Sequence, residues 1–362
     1  MPSALPISRR AAAPAAAGPA AVPIDLALQG GGAHGAFTWG VLDRLLQDDG
    51  PALDGLSGTS AGALNAAVLA SGFADGGRAG ARAALQAFWL DLSASGGCFG
   101  PAPMLRNAGA GGAQDLSAFN LDGLPLYNWT QQWLNSFSPY QFNPFDLNPL
   151  RDVVARHVNA AALRKGPLAL FVTATEVRSG QPRIFTRKDL SVDALLASAC
   201  LPQLFKAVTI DGHAYWDGGY SGNPALWPLI YETRALDLLL VRINPLLRPE
   251  LPDTAAEISD RVNEITFNAG LMAEMRAIGF VQRLIAQGKL DDQQYKNLRL
   301  HEIADDAGLA PLHPSSKLNT DRRFLERLRD LGHAAADAWL RAHRADLGRR
   351  ATLHPDRFLQ PR

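Results

Sequence analysis

The sequence predicts an α/β fold, namely a three-layer α/β/α domain with a mostly parallel central sheet. Short apolar runs of strand length alternate with longer segments whose apolar residues recur at helical spacing. Each of the first two runs ends in a glycine-rich turn that leads into such a helical segment, which is the order typical of a parallel sheet covered by helices. With 362 residues, 47% of them hydrophobic, the chain can bury a sizeable core.

The predicted elements follow this alternation to the end of the chain. The first two strands are expected at residues 24–29 and 53–57, and a helix follows each of them, the first at residues 36–47. The later elements are, in order, a strand at 168–177, a helix at 191–199, a hairpin at 208–215, a strand at 237–244, one or two amphipathic helices at 255–286, a strand at 298–303 and a helix at 321–344.

The composition divides the chain into three parts. Residues 1–22 form an Ala/Pro-rich segment that we interpret as a disordered tail, with a targeting segment as the alternative. The α/β pattern occupies 23–250 and is interrupted by an insert at 95–149, which is rich in glycine, proline and aromatic residues. The insert can be either a lid or an aromatic surface cover. Residues 251–362 are expected to be a mainly helical extension packed on the same domain.

Charge and cysteine content exclude several classes of protein. Lys+Arg and Asp+Glu are equal at 35, so no global basic field can bind nucleic acid or an anionic membrane by charge alone. Cys98 and Cys200 are too few for a disulfide framework and favour a reducing compartment such as the cytoplasm. The histidines do not cluster at ligand spacing, and no metal or organic cofactor is expected. No apolar run reaches eighteen residues, so any membrane contact should be peripheral. The sequence gives no indication of an oligomeric state.

The first motif is Gly-x-Ser-x-Gly at residues 58–62, between the second strand and its helix. This context suits a nucleophile elbow, in which a sharp turn lifts the hydroxyl of Ser60 above the sheet. Gly58 and Gly62 leave room because a Cβ at either position would collide with neighbouring backbone. The alternative is a serine that caps the helix between two turn glycines.

The second motif is GGGAHG at residues 30–35, which follows the first strand. Gly30, Gly32 and Gly35 have the spacing of the dinucleotide fingerprint, and Asp54 lies at roughly the offset of its ribose-binding carboxylate. That aspartate, however, stands at the start of its strand. The other interpretation is an oxyanion hole, in which consecutive glycine amides point at the oxygen that becomes negative in acyl transfer.

The third motif is Asp217-Gly218-Gly219, after a short apolar strand. A lone Asp-Gly-Gly is most often a turn. A reactive serine nevertheless needs a base, and an aspartate beside paired glycines can approach it closely. The site would then have to adjust the pKa or the desolvation of this carboxylate.

Together, the three motifs resemble the patatin-like phospholipase family. Its members carry a glycine-rich oxyanion loop, a Gly-x-Ser-x-Gly elbow and a downstream Asp-Gly-Gly/Ala in this order, and form a Ser-Asp dyad without histidine. Residues 173–185 and 194–219 are also similar to the family's segments before its aspartate. The resemblance covers about residues 24–245. The insert and everything after about residue 250 lie outside it.

The resemblance implies a serine acyl hydrolase that cleaves carboxylic esters of lipids, or other esters, through an acyl-enzyme. Ser60 would be the nucleophile, and Asp217 would take its proton and later activate water. The remaining site residues are the oxyanion-loop glycines Gly30, Gly31, Gly32 and Gly35, with Gly58, Gly62, Gly218, Gly219 and His34 as supporting positions.

Two positions depart from the family pattern. Many members carry Asp before the three glycines and Arg or Lys before the last one, where this chain has Gln29 and His34. The glycine amides survive this change. A histidine would be only partly charged near pH 7, so a fixed cationic contribution is in doubt. Either a functional role or a hydrogen bond to neighbouring backbone fits His34.

Three other functions remain compatible with the sequence. A Ser-Asp-His triad would draw its base from His301, His313 or His333, which follow Asp217 in the order of α/β-hydrolases. A dinucleotide-binding oxidoreductase would use the glycine fingerprint, and a bound nicotinamide would reveal it. A non-catalytic lipid-binding scaffold would not react with a fluorophosphonate.

Overall fold

The computed structural model describes residues 22–47, 51–95, 116–121, 124, 137–248, 251–292 and 294–358. These residues build one eight-stranded sheet. Its strands are β1 (Pro23–Leu28), β2 (Ala52–Thr59), β3 (Ala169–Glu176), β4 (Pro182–Thr186), β5 (Val208–Ile210), β6 (His213–Asp217), β7 (Asp237–Val241) and β8 (Arg299–Ile303).

The sheet has the strand order β5-β6-β3-β2-β1-β7-β8, with β4 also paired to β3. The five strands β3, β2, β1, β7 and β8 run parallel. By contrast, β4, β5 and β6 join through antiparallel pairs. The predicted α/β class with a mostly parallel sheet is therefore confirmed.

Ten helices are described: α1 (Gly35–Leu45), α2 (Ala61–Ala94), α3 (Pro139–Phe142), α4 (Pro149–His157), α5 (Ala160–Lys165), α6 (Val192–Ser198), α7 (Trp227–Glu232), α8 (Ala255–Ala286), α9 (Asp306–Leu309) and α10 (Arg322–His343). The small-residue helix α2 bends at Gly76 and Gly77, where the backbone leaves helical geometry. None of the helices in the described ranges is both long enough and apolar enough to cross a membrane.

Hydrophobic cores on both faces of the sheet give three layers. Along β7, Leu239 and Val241 lie in the larger core, together with residues of α1, α2 and α10. The alternate residues Leu238 and Leu240 lie in a second core with residues of α7 and α8. Because successive side chains of a strand point to opposite faces, a strand covered on both sides is a continuous apolar run.

The residues after 250 complete the sheet as well as covering it. The extension supplies the edge strand β8 in addition to helices. Its helix α8 is one continuous helix, which begins with a capping box between Thr254 and Glu257. Its last helix, α10, lies directly on α1, where Gly332 contacts the backbone of Phe37.

Only part of the aromatic insert is described. The short turn Leu116–Phe119 places the Phe119 ring on the Phe324 ring of α10, with centroids 5.0 Å apart. Helix α3 carries Tyr140, whose ring lies near the Lys206 ammonium at 5.8 Å. The choice between lid and cover depends on 96–115 and 125–136, which lie outside the described residues, as does the tail at 1–21.

Candidate active site

The glycine loop and Ser60 lie side by side at the carboxyl edge of the sheet. Strands β1 and β2 are parallel neighbours with Leu28 opposite Gly58, so the turns that follow them meet at the same edge. The two turns are in direct contact, because a methyl group added to Gly30 would lie 2.7 Å from the Cβ of Ser60.

Ser60 sits in a strained turn. Its φ of 54° lies in the left-handed region, which a residue with a side chain seldom adopts. The turn is tight, since a Cβ on Gly58 would lie 2.5 Å from the carbonyl oxygen of Gly62, and one on Gly62 would meet the carbonyl of Leu28. The Ser60 side chain makes no capping bond to α2 and is half-buried. Ser60 therefore stands in a tight, strained turn between β2 and α2.

A second serine holds the backbone of this turn. The amide of Ser60 donates to the Oγ of Ser198 at 2.9 Å, and that hydroxyl donates to the carbonyl of Thr173 at 2.6 Å. Ser198 ends α6 and is fully buried. It therefore connects the strained turn to the neighbouring strand β3.

The pairing of three strands brings Asp217 to Ser60. Thr59, which precedes the serine, is opposite Thr173 of β3, and the next β3 residue, Ala174, is opposite Asp217 at the end of β6. Because β4 occupies the other edge of β3, β2 and β6 follow one another along the same edge, and Ser60 and Asp217 meet where β2 ends and β6 ends. Gly218 permits this approach because it contacts the carbonyl of Thr173.

The carboxyl of Asp217 is buried, and only one of its two oxygens accepts a hydrogen bond within the described ranges. Its Oδ1 accepts a hydrogen bond from the amide of Gly219 at 2.7 Å, and its backbone carbonyl accepts one from the hydroxyl of Thr175 at 2.8 Å. Its side chain is 1% exposed, and among the described residues Oδ2 has no hydrogen-bond partner. One oxygen is therefore held and the other is available.

Burial raises the pKa of Asp217 from 3.8 to about 7. The amide of Gly219, the hydroxyl of Ser60 and the charge of Lys317 act in the opposite direction. Ser60 is thus near enough to influence the carboxyl, although Oδ2 receives no hydrogen bond of ordinary geometry. A carboxylate that titrates near neutral pH is suited to general-base catalysis.

The three consecutive glycines have different environments. The amide of Gly30 donates to Oδ1 of Asn223 at 2.6 Å, and its carbonyl accepts from Nδ2 of Asn244 at 2.8 Å. Within the described ranges, the amides of Gly31 and Gly32 donate no hydrogen bond. The amide of Gly30 is therefore engaged within the protein, whereas those of Gly31 and Gly32 have no acceptor among the described residues.

Glycine is required at two further positions of this loop. Gly32 has a φ of 58°, and a methyl group added there would meet the carbonyl of Lys317. Gly35 begins α1, and a methyl group there would lie 2.7 Å from the Cβ of Ala61. The loop is thereby fixed between the C-terminal segment and the start of α2. Gly219 in turn lies close to the ring of Phe267.

His34 is a buried, neutral residue. Its Nε2 is 2.7 Å from the Oγ of Ser316, which in turn donates to the carbonyl of His313. Burial, followed by the charges of Lys317 and Arg248, holds the pKa of His34 well below its ordinary value. The expectation of partial charge near pH 7 is therefore wrong, and its partner is a serine hydroxyl rather than neighbouring backbone.

Gln29 fills the other position that departs from the family pattern. Its Oε1 accepts from the amides of Ile243 and Asn244, both at 3.0 Å. Its Nε2 donates to Oδ1 of Asn268 on α8 at 3.1 Å. The side chain thus links the end of β1, where the glycine loop begins, to the turn after β7.

The candidate triad histidines have partners elsewhere. His301 is fully buried, with Nε2 3.0 Å from Oδ1 of Asp237 and Nδ1 2.9 Å from Oγ1 of Thr352. His333 lies on α10, with its Nε2 3.1 Å from the side chain of Gln47. The backbone amide of His313 donates to Asn120.

Asp54, the candidate ribose-binding residue, lies at the other end of its strand. Its Oδ2 accepts from the backbone amides of Arg234 and Ala235. Because it stands at the start of β2 while the glycine loop follows the end of β1, the two features are at opposite edges of the sheet.

Four residues of this site went unnoticed in the sequence: Ser198, Asn223, Asn244 and Lys317. Asn223 and Asn244 each carried a local signal, since both precede a proline and an Asn-Pro dipeptide favours turn initiation. The others are distant in sequence and isolated in type, so only the fold reveals their proximity to the glycine loop and Ser60.

Comparison with known proteins gives one family match and a structural neighbour. The sequence model of a family described as Patatin-like phospholipase matches residues 26–230, more than half of the chain. Among curated proteins, no sequence matches. Among solved structures, the chain is similar to VipD from Legionella pneumophila, at 15% sequence identity and a TM-score of 0.38. That alignment covers 90% of this chain and 67% of VipD.

Proposed function

The chain belongs to the patatin-like phospholipase family, and we propose that it is a serine acyl hydrolase that cleaves carboxylic esters of lipids through a covalent acyl-enzyme. One observation carries this proposal. The buried Asp217 has a pKa raised to about 7 and one unpartnered oxygen, and it lies beside the half-buried Ser60 in its strained turn. A carboxylate of this kind can take a proton from an adjacent hydroxyl.

In the acylation step, Oγ of Ser60 attacks the ester carbonyl carbon while its proton passes to Oδ2 of Asp217. The carbonyl oxygen becomes negative in the tetrahedral adduct. When the adduct collapses, the bond to the alcohol oxygen breaks, and the leaving alcohol takes the proton from Asp217. The products of this step are a free alcohol and an acyl group on Ser60.

The oxyanion would be held by the amides of Gly31 and Gly32. The amide of Gly30 is engaged with Asn223, so it serves to fix the loop rather than to bind the adduct. Donors that are already oriented need no reorganisation when the charge forms, which is why such groups stabilise the transition state. Ser60 also stands at the N-terminus of α2, where the helix dipole favours negative charge.

In the deacylation step, Asp217 takes a proton from a water molecule that attacks the acyl carbonyl. The second tetrahedral adduct then breaks its bond to Oγ of Ser60, the serine recovers a proton from Asp217, and the carboxylic acid leaves. The same carboxyl therefore serves both half-reactions, and no histidine is needed in either of them.

Apolar groups near the site favour a lipid acyl chain as the substrate's acyl part. The ring of Tyr220 packs edge-on against Phe267 of α8, with centroids 5.1 Å apart, next to Gly219. The same helix exposes Ile258 and Ile265, each about half accessible. Exposed apolar residues on one helix can form a patch that contacts a lipid surface, which supports peripheral contact through this helix.

Fluorophosphonate labelling and ester hydrolysis, measured together, test the proposal. Wild-type protein should be labelled and should hydrolyse p-nitrophenyl esters, whereas Ser60→Ala should do neither and keep its fold. Ser179→Ala serves as the control, because Ser179 is an exposed serine in the β3–β4 turn. Labelling or hydrolysis that survives in Ser60→Ala would contradict the assignment of the nucleophile.

A further inference from the structure

A lysine from the C-terminal segment reaches the glycine loop. Lys317 belongs to the short turn Pro314–Leu318, which lies outside residues 26–230 matched by the family. Its carbonyl oxygen contacts Gly32, and its Nζ donates to Oδ1 of Asn244 at 2.9 Å. The loop is therefore contacted by this lysine directly and through the asparagine.

The ammonium group is one hydrogen bond away from the surface where the oxyanion would form. Oδ1 of Asn244, which accepts from Lys317, would lie 3.5 Å from a methyl group added to Gly31. Nδ2 of the same asparagine donates to the carbonyl of Gly30 at 2.8 Å. The ammonium is thus linked through Asn244 to the loop at Gly30 and Gly31.

The neighbouring charges leave this ammonium without a close counter-ion. The charged and titratable groups around it are Glu264 and Asp260 of α8, Arg248, Asp217 and His34. Glu264 is engaged by Arg248 at 2.8 Å and by Arg261 at 3.1 Å. In the part of the chain that the structure describes, Lys317 makes no ion pair, and its one hydrogen bond goes to a neutral amide oxygen.

A desolvated cation without a counter-ion is unfavourable unless negative charge arises nearby. The proposed reaction provides it, because acylation moves one negative charge from Asp217 to the oxygen at Gly31 and Gly32. His34 is neutral and Arg248 is paired with Glu264, so neither supplies a free positive charge at the loop.

We propose that Lys317 is a positioning residue that holds the glycine loop through Asn244 and whose charge favours the anionic tetrahedral adduct. This inference rests on the function proposed above. It assigns to a residue outside the family-matched segment the positive charge that the glycine loop itself lacks.

Three variants distinguish the effect of the Lys317 charge from that of its hydrogen bond to Asn244. Lys317→Arg keeps the charge, Lys317→Gln removes the charge while keeping a donor for Asn244, and Lys317→Met removes both. Lys188→Met is the control, since Lys188 is an exposed lysine in the turn after β4. Each protein is assayed with a short-chain p-nitrophenyl ester, and the active sites are counted by fluorophosphonate titration.

A preorganised electrostatic contribution acts in the transition state, so kcat should fall while KM changes little. We expect kcat of Lys317→Gln to fall by about 10- to 100-fold, with KM within about threefold of wild type. Lys317→Arg should stay within about threefold of wild type, and Lys188→Met should be unchanged. The acid limb of kcat/KM should move to higher pH in Lys317→Gln, because the ammonium lowers the pKa of Asp217.

Equal losses in the Gln and Arg variants, or a Gln variant with wild-type kcat and acid limb, would overturn the inference. If the neutral variants do not fold, Lys317→Arg still decides the question. Burial lowers the pKa of Lys317, so wild-type kcat should fall at alkaline pH. An arginine stays charged, so this basic limb should disappear in Lys317→Arg. An unchanged basic limb would contradict the inference, whereas a wild-type protein without esterase activity would contradict the proposed function instead.

Discussion

Replacing Asp217 by asparagine should stabilise the protein at alkaline pH while removing its activity. The carboxyl is buried and its pKa is raised from 3.8 to about 7. In the unfolded chain it ionises near 3.8, so between that pH and about 7 the folded state binds the extra proton. Wild-type stability is therefore favoured by this group at acid pH, and that contribution is lost as the pH rises through about 7.

The size of this pH-dependent change in stability follows from the shift in the pKa of Asp217. At about 1.36 kcal/mol per unit, a shift of about three units corresponds to about 4 kcal/mol. Asparagine resembles the neutral carboxyl and does not titrate. From pH 5 to pH 8, the unfolding free energy of wild type should therefore fall by about 3 kcal/mol relative to that of Asp217→Asn. The fall takes place over the two pH units below the folded pKa.

Urea denaturation of both proteins at pH 5, 6, 7 and 8 measures this difference, and the slope m verifies that the unfolding transition is the same in both. A gap that stays constant across these pH values would show that Asp217 does not titrate in the folded protein near pH 7. The description of this carboxyl as a desolvated base would then be refuted, whatever its effect on turnover.

Three further predictions concern the surroundings of the nucleophile. Gly31→Ala places a methyl group 2.9 Å from Cδ1 of Ile243, so the loop must shift. We expect kcat to fall by about 10- to 1000-fold, with a smaller change in KM. A change in KM alone would show that the loop positions the substrate instead. Asn223→Ala leaves the amide of Gly30 without its partner, and should lower both kcat and the unfolding free energy, the latter by about 1–3 kcal/mol in urea denaturation; unchanged stability would contradict this. Ser198→Ala removes the acceptor of the Ser60 amide, and should slow fluorophosphonate labelling several-fold; an unaltered labelling rate would show that the turn holds its shape without it.

The sequence predicted the fold well because the apolar residues of each strand and helix follow a local spacing. The run from Asp237 to Val241 is apolar at nearly every position because both faces of β7 are covered. The edge strand β8 was expected at 298–303 and is observed at Arg299–Ile303. Helix α2 is longer than the small-residue segment from which it was predicted. Gly76 and Gly77, where the helix bends, interrupt the helical pattern in the sequence, so the part after them was not predicted.

The site was predicted in part, and the limits have a physical cause. Ser60 and Asp217 stand in short motifs whose glycines signal tight turns, so the sequence reveals them. The engagement of Gly30 by Asn223 and the approach of Lys317 join residues 193 or more positions apart, and no local pattern encodes such pairs. The neutral state of His34 likewise results from burial by the C-terminal segment.

The most direct test of the account is kcat/KM for a short-chain ester in Asp217→Asn compared with Asp25→Asn. Asp25 is also buried and has a pKa raised to about 7, but it lies at the start of β1, away from Ser60. We expect kcat/KM to fall by about 10²- to 10⁴-fold in Asp217→Asn and to stay nearly unchanged in Asp25→Asn. Activity of Asp217→Asn within a few-fold of wild type would contradict the role of this carboxyl as the base of a Ser60–Asp217 dyad.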